Sequence, residues 1–496
     1  MKKISILCSV IVLLSACAIF SGNKHEAKVP RPNILLIVSE DHSPHLSCYG
    51  DEVIKTPNLD KIAGNGWLFK NAYVTQSVCS PSRSSILTGL YPHQNGHIGL
   101  ATQGYQFVGH VRNIYSLLKD AGYRTGMIGK LHLNPASDFP IDYHPIKGPN
   151  YEKLDMKRYA DYASQFMNAS DDPFFLMVNL PDAHWPFQDV VEGRPAMPIT
   201  AAQVKPFPYI GFDNELIRRY TTSIYNCLLR LDECIGELTA SLKSSGKENN
   251  TLVIYLSDHG DEMARGKFDI YEVSNKVPFL VSWPGRISKG VRSDALVSAV
   301  DIVPTLLEAA GVHERPGKLA GQSLFPLFDN PSVPFREYLF TEKNADQVSL
   351  YYPRRAVRDS RYKLIYTLLP DRKNPVAEGY TANTQRAAPL AGSPTLQELE
   401  KAPAGIRQAY YSWINPPAIQ LYDLHNDPHE FNDLSSNPQY SDVKNRLFNA
   451  LQNWQIETDD PLRFPEKLKM LTAEHDTMKV SKEMKWQYPG YLYGLK

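Results

Sequence analysis

The sequence predicts an α/β fold, a sheet buried on both faces and covered by helices, with a smaller α+β subdomain after it. Three observations carry this. First, Ile34-Leu35-Leu36-Ile37-Val38, Phe174-Phe175-Leu176-Met177-Val178 and Leu252-Val253-Ile254-Tyr255-Leu256 are near-continuous apolar runs of strand length, the pattern of strands covered on both sides. Second, helical spacing lies between them at 114–121 and 218–244, where Ile224, Leu228, Leu231, Ile235, Leu238 and Leu242 form one stripe. Third, the character changes after about residue 335. Short strands at 354–357 and 362–366 precede a loop-rich stretch to Pro417. Then come a strand at 421–424, a turn at Asn426-Asp427-Pro428 and a helix at 441–457. The expected division is 31–335 and 336–496.

The first 30 residues stand apart. Lys2 and Lys3 precede an apolar stretch at 4–14 that is too short to span a bilayer. Leu14-Ser15-Ala16-Cys17 looks like a lipobox, so 1–17 is read as a lipoprotein-type signal with Cys17 lipidated, and 18–30 as a tether. Ordinary secretory cleavage is the alternative. Either way the chain is expected to be exported, to the periplasm or outer membrane of a bacterium, touching membrane only through the lipid anchor. Lys plus Arg (53) equals Asp plus Glu (53), so no global field favours nucleic acid, and an anionic ligand needs a local cluster of cations. Cys227 and Cys234 lie seven residues apart on one helix, about 10 Å, too far for a disulfide. Cys79 is not expected to be half of a bridge.

Each apolar strand stops at groups that do chemistry. The first gives Ser39-Glu40-Asp41-His42, the second Asn179 and then Asp182-Ala183-His184, the third Ser257-Asp258-His259-Gly260. Ligands of open α/β sheets gather beyond the carboxyl ends of strands. One Asp after a strand is more often a turn former or helix cap. Three such ends together point to a site for a hard cation such as calcium. Between them, Val78-Cys79-Ser80-Pro81-Ser82-Arg83 opens a helix running through Ile86 to Leu90. Cys79 then sits at a helix N-terminus, which favours an anion, with the Arg83 charge close by. On residues alone, Cys79 is a low-pKa nucleophile or a buried structural thiol.

Cys79-x-Pro81-Ser82-Arg83, followed by Leu87-Thr88-Gly89, resembles the signature of the type I sulfatases. That resemblance implies an alkaline-phosphatase-like fold with a large mixed sheet. It implies that a separate maturation enzyme oxidises Cys79 to formylglycine, whose hydrate attacks sulfur. It also implies Ca²⁺ held by Glu40, Asp41, Asp258, His259 and the modified Cys79. Gly129-Lys130-Leu131-His132 matches a further family element. Arg83 and Lys130 would hold the nucleophile ionised, and His132 would be the base of the second step. His184 as general acid and Lys267 would stand at the leaving side. Lys130, His184, Lys267 and Gln347 would bind substrate. Glu40 departs from the family's usual Asp-Asp pair.

Within the family the likeness is strongest to the N-sulfoglucosamine sulfohydrolases, or sulfamidases. It runs through Tyr91-Pro92-His93-Gln94-Asn95-Gly96, Tyr352-Pro353-Arg354-Arg355 and Leu421 to Glu430. The segment Ala345-Asp346-Gln347-Val348 lacks the His-Glu pair of those enzymes, which leaves the sugar open while the chemistry stands. The expected substrate is N-sulfoglucosamine from heparan or heparin. The alternatives are an O-sulfated hexose or hexosamine, or a phosphodiester or phosphonate on the same superfold. A sulfated-glycan-binding lipoprotein without turnover and a thiol hydrolase are further alternatives. His42, His45, His93 and His97 are additional candidates for the pocket wall. Oligomeric state is left open.

Overall fold

Seven consecutive buried residues make strand β1 (Asn33–Ser39), and pleating sends alternate side chains to opposite faces. Leu35 and Ile37 enter one core; Ile34, Leu36 and Val38 enter the other. The first core is closed by helices Lys157–Asn168 and Glu215–Ser244. The second is closed by Cys79–Thr88, Ile114–Asp120 and Ile302–Ala309. Each fully buried apolar side chain contributes about 1.5–3 kcal/mol relative to exposure, so neither face tolerates a polar substitution in these strands.

The computed structural model describes residues 31–313, 317–382, 390–478 and 490–493. The expected signal at 1–17 and tether at 18–30 lie outside the described residues. Strands β2 (Trp67–Tyr73), β3 (Arg124–Ile128), β4 (Phe174–Asn179), β5 (Thr251–Ser257), β6 (Phe279–Ser282) and β7 (Val291–Ser298) join β1 in a seven-stranded sheet of order β3-β4-β1-β5-β6-β2-β7. β1 runs parallel to β4 and β5, whereas β6 is antiparallel to β5 and β2, so the sheet is mixed. The three apolar runs of the sequence are adjacent strands, with β1 between β4 and β5. Their register sets the site: Ser39 faces Ser257 and Val38 faces Asn179. Glu40, Asp258 and the turn after Asn179 therefore leave the sheet at one level.

Strands β8 (Leu339–Lys343), β9 (Arg354–Arg358), β10 (Tyr362–Thr367) and β11 (Ile419–Asp423) form an antiparallel sheet of order β11-β10-β9-β8. Helix Ser441–Glu457 covers one face through Leu447, Leu451 and Trp454, packed on Val357, Leu364 and Leu421. On the other face Ala356, Ile365 and Tyr422 meet Phe268, Ile270 and Tyr271, which continue the segment that leaves β5. The division expected near residue 335 falls between β7 and β8. Both sheets belong to one compact unit starting at Arg31.

Two expectations need correction. The helix of the Cys79 motif ends at Thr88, not Leu90: Gly89 takes φ 69° and donates its N–H to Ser85 O at 2.9 Å, a left-handed cap that glycine accepts without strain. The stretch before Pro417 is not mainly loop, because it contains helices Pro375–Ala382 and Ala404–Ile414. Ala409, Tyr410, Trp413 and Ile414 bury one helical face, but Gly405 and the flanking prolines obscured that period. Cys48, Cys79, Cys227 and Cys234 are free thiols.

Candidate active site

Cys79 is the first residue of its helix, after Val78 in extended conformation, and is 2% exposed. Arg83 follows one turn later on the same face and is fully buried. Its Nη2 donates to Asp258 Oδ2 at 3.1 Å and Glu40 Oε1 at 3.3 Å, and its Nη1 to Asn179 Oδ1 at 2.5 Å. One guanidinium thus ties together the ends of β1, β4 and β5. Lys130 arrives from β3 through Gly129, whose φ is 94° and whose added Cβ would lie 2.4 Å from Asn179 O. Only glycine lets that turn close on β4. Lys130 Nζ then reaches Glu40 Oε2 at 2.7 Å.

The opposite wall is built on Asp41. Lys267 Nζ lies 2.6 Å from Asp41 Oδ2 and 3.3 Å from Glu262 Oε2. His259 Nε2 lies 3.0 Å from Asp41 Oδ1 and 3.4 Å from Cys79 Sγ. His184 Nε2 is 4.0 Å from Asp41 Oδ2. In both imidazoles Nδ1 donates to a backbone carbonyl, Gly260 O for His259 and Trp185 O for His184, which turns Nε2 toward the site. Tyr151 stacks on His184 with centroids 4.0 Å apart, and Lys130 Nζ lies 5.3 Å from the same ring. Behind this wall Arg230 grips Asp182 at 2.7 and 2.8 Å. Lys153 Nζ donates to the carbonyls of His184 and Pro186 at 2.8 and 2.6 Å.

The electrostatics are those of a crowded, dry site. Burial opposes ionisation of the Cys79 thiol, but Lys130, Lys267 and His259 outweigh it and bring its pKa well below the usual thiol range. Burial also opposes charge on His259, yet Asp258 and Asp41 hold its imidazolium up to about 10. Burial pushes Glu40 up against the pull of Lys130 and Arg83, and raises Glu262 to about 7 against Lys267. Burial, aided by the Lys130 charge, lowers His132 to about 4, so that imidazole is neutral at pH 7. Both its ring nitrogens are enclosed without a hydrogen-bond partner, as are Asp41 Oδ1, Arg83 Nε and Asn179 Nδ2.

The donor set fits a hard divalent cation. Asp41, Cys79, Asp258 and His259 offer ligand atoms within 4.8 Å of one another, and so do Glu40, Asp41, Cys79 and His184. Two of the four ligands in each group are carboxylates, the oxygen donors a hard cation prefers. Asp41 Oδ1, which His259 approaches without a hydrogen bond, is the kind of buried acceptor a cation would satisfy.

The structure brings Glu40, Asp41, Cys79, Arg83, Lys130, His184, Asp258, His259 and Lys267 together, with His132 beside Cys79. Gln347 is not in this contact network. It precedes a short 3₁₀ turn, Val348–Leu350, and its carbonyl accepts from Leu350 N–H. Asp346 is fully buried, paired with Lys343 and bonded to Gln76 Nε2 at 2.8 Å, so it supports the layer behind Cys79. His42, His93 and His97 are buried in bonds of their own, to Ser39, Glu342 and the Gly99 carbonyl. His45 pairs with Asp261. Asn179, Glu262 and Tyr151 belong to the site and were not singled out. Asn179 had a signal, the polar end of a buried strand; the other two had none in local sequence.

Comparison with known proteins identifies the family. The sulfatase family model matches residues 32–312, and the model for the C-terminal part of N-sulphoglucosamine sulphohydrolase matches residues 264–373. Human N-sulphoglucosamine sulphohydrolase is 29% identical, over 92% of this chain and 94% of its own. An ulvan-active sulfatase of Formosa agariphila is 29% identical over 88% and 83%. A protein solved in complex with its substrate D-glucosamine-2-N,6-O-disulfate superposes with a TM-score of 0.65 at 22% identity, covering 87% of this chain and 98% of that one. By the extent of the family match and the fold, the chain belongs to the sulfatase family.

Proposed function

We propose that this sulfatase removes the sulfate group of a sulfated saccharide, N-sulfoglucosamine first among the candidates, with Cys79 acting after oxidation to formylglycine. The observation that carries this is the placement of Cys79. It is the first residue of a buried helix, at the point where Asp41, Asp258 and His259 converge and three buried cations stand.

Attack on a sulfate or sulfamate sulfur must pass between anionic oxygens, so charge neutralisation governs the barrier. A divalent cation held by Glu40, Asp41, Asp258 and His259 would supply Lewis acidity to the sulfate oxygens and to the modified Cys79. Arg83 and Lys130 keep positive potential on the nucleophile and fix the carboxylates around it. Lys267, held between Asp41 and Glu262, steadies negative charge on the sulfate. His184 gives a proton to the departing nitrogen or oxygen, its ring fixed by Tyr151 and the Trp185 carbonyl. His132, neutral and close to Cys79, takes the proton that must leave before sulfate is released. The whole reaction consumes one water and yields the free amine or alcohol and sulfate.

The choice of sugar is supported by the 29% likeness to the human N-sulphoglucosamine sulphohydrolase along nearly the whole chain. A second reading, an O-sulfated hexose or hexosamine, is favoured by the altered segment 345–348 and by the equally similar ulvan-active sulfatase. The chain is further proposed to be exported and anchored at Cys17, and to depend on a formylglycine-generating enzyme. Sulfate release from a panel of defined sulfated mono- and disaccharides tests the substrate. N-sulfoglucosamine should be the best substrate, and Cys79→Ala should release nothing. Inert N-sulfoglucosamine beside a cleaved O-sulfated sugar would overturn the N-sulfate assignment.

A further inference from the structure

Beyond the 258–267 loop from Cys79 lies a cavity of about 220 Å³. None of the residues assembled around Cys79 lines it. His45, Arg265, Lys276 and His429 line it, together with Glu272 and Glu430. A sulfatase needs no such pocket for its chemistry, and the donors that line it are not all met.

The two carboxylates are paired from behind, although Glu272 Oε1 and Glu430 Oε1 meet Lys363 as ion pairs without a hydrogen bond. Glu272 accepts from Arg358 Nη1 at 2.7 Å and Tyr73 OH at 2.6 Å, and Lys363 lies 3.0 Å from Glu430 Oε1. The Glu272 N–H also donates to Glu430 Oε2 at 2.6 Å. Asp261 is taken up by His45 at 2.7 Å and by Tyr209 OH at 2.8 Å. Arg265 and Lys276 are left over: they face Glu272 and Glu430 beside Arg358 and Lys363, with Asp294 and Asp427 acting on Lys276 and His429 from farther off.

Neither surplus group is saturated. The Arg265 guanidinium is sandwiched between Tyr271 and Phe431, at 4.2 and 5.0 Å. Its Nη2 donates to the carbonyls of His429 and Glu430, at 3.0 and 2.7 Å, while its buried Nη1 has no acceptor. The Lys276 ammonium has no hydrogen bond or ion pair among the described residues, and burial lowers its pKa. The His429 ring likewise has no hydrogen-bond partner there. A largely buried ammonium beside an unfilled cavity costs free energy until an anion meets it.

We propose that this cavity binds a sulfate-class dianion at Lys276, His429 and the Arg265 side, as a second anion site separate from Cys79. The volume suits one tetrahedral oxyanion and a few waters, and an anion there would meet the unpartnered donors of Lys276 and Arg265. The ligand is either free sulfate or a sulfate group on a neighbouring sugar. The cavity is joined to the catalytic loop, since the Lys267 N–H donates to Asp261 O at 2.7 Å. The binding claim does not depend on which saccharide is the substrate.

The test uses full-length Cys79→Ala protein titrated calorimetrically with sodium sulfate, chloride holding ionic strength constant because exposed charge pairs are screened by salt. Lys276→Met should weaken one class of sulfate binding by about tenfold, the loss of one charge-assisted partner, and leave the other class unchanged. Superposable isotherms would overturn the proposal. Selenate soaked into crystals of the Cys79→Ala protein guards against a folding artefact. Anomalous density beside Lys276 is expected; density confined to the Cys79 site would overturn it. In the active enzyme, a Lys276→Met KM increase for a sulfated disaccharide but not a monosaccharide assigns the site to the glycan. Loss of inhibition by added sulfate with unchanged KM assigns it to the free ion. No change in any of these contradicts the site.

Discussion

Two of the places where the molecule buries charge treat it differently. Under the second sheet, Arg355 meets Asp460 at 2.7 and 2.9 Å, and Arg354 meets Asp269 at 2.7 Å and Gln420 at 2.5 Å. These groups are fully buried, and their hydrogen-bonding capacity is largely used. Around Cys79 the charges are equally buried, yet Arg83 Nε, Asn179 Nδ2 and both His132 nitrogens lack hydrogen bonds, and Asp41 Oδ1 meets His259 only as an ion pair. A buried polar group left unsatisfied costs about 1–3 kcal/mol. A fold bears that cost where a ligand will complete the set. Saturated charge clusters hold structure, and unsaturated ones await chemistry.

The comparison breaks most sharply by substitution on each side. Asp258→Asn keeps the shape of the carboxylate but removes a charge from the proposed cation site. Activity should fall on the order of a thousandfold, bound calcium should be lost, and the melting temperature of the metal-free protein should hardly move. Activity assay, metal analysis and calorimetry on one preparation check all three. Asp460→Ala should do the reverse. It strands Arg355 in the core and should cost about 3–5 kcal/mol of stability, with kcat per folded molecule unchanged. A urea titration paired with turnover measured per active site would detect failure of either half.

Proton linkage separates the regions further. Burial opposes the Asp460 charge, but Arg355 outweighs it and holds the carboxyl well below the ordinary aspartate range. Its contribution is therefore present above the unfolded pKa of about 3.9 and lost as pH falls through the lower folded value. The stability deficit of Asp460→Asn should be constant from pH 5 to 7 (about one to three units above that unfolded value) and shrink below about pH 4. Glu262, raised by burial to about 7, has the opposite sign: stability of the metal-free protein should fall as pH rises from the unfolded range toward 7. Glu262→Gln should flatten that slope in acid-to-neutral denaturation profiles.

The smallest effect concerns orientation. Tyr151→Ala removes the ring stacked on His184, a contact worth about 0.5–1.5 kcal/mol. A drop of roughly threefold to tenfold in kcat/KM is expected, with bound metal unchanged. Loss of metal in this variant would place Tyr151 in the wrong layer.

Much of this was legible in the sequence because the site is built at strand ends. The runs ending at Ser39, Asn179 and Ser257 have an unmistakable apolar pattern, and the acidic doublets follow directly. Register was not legible: nothing local states that Ser39 faces Ser257 or that β3 delivers Lys130 beside Glu40. Tyr151 escaped because it is defined by a contact across the chain with His184, and Glu262 because its role depends on the turn that brings Lys267, five residues on, back against it. Gln347 was assigned by analogy of position. Its neighbour Asp346 makes a buried bond to Gln76, so exchanging 346–347 should perturb the layer behind Cys79 as well as any sugar contact of Gln347. Helix Ala404–Ile414 was missed because Gly405 and three nearby prolines mask a face that only packing against Tyr271 and Tyr422 reveals.

The claim on which the rest depends is that Cys79 is the modified nucleophile. Active protein made in cells that carry the maturation enzyme should be digested with trypsin and the 71–83 peptide weighed. The account predicts the formylglycine aldehyde at Cys79, in an amount that tracks specific activity from one preparation to the next. Full activity with only free or alkylated thiol at Cys79 would contradict it.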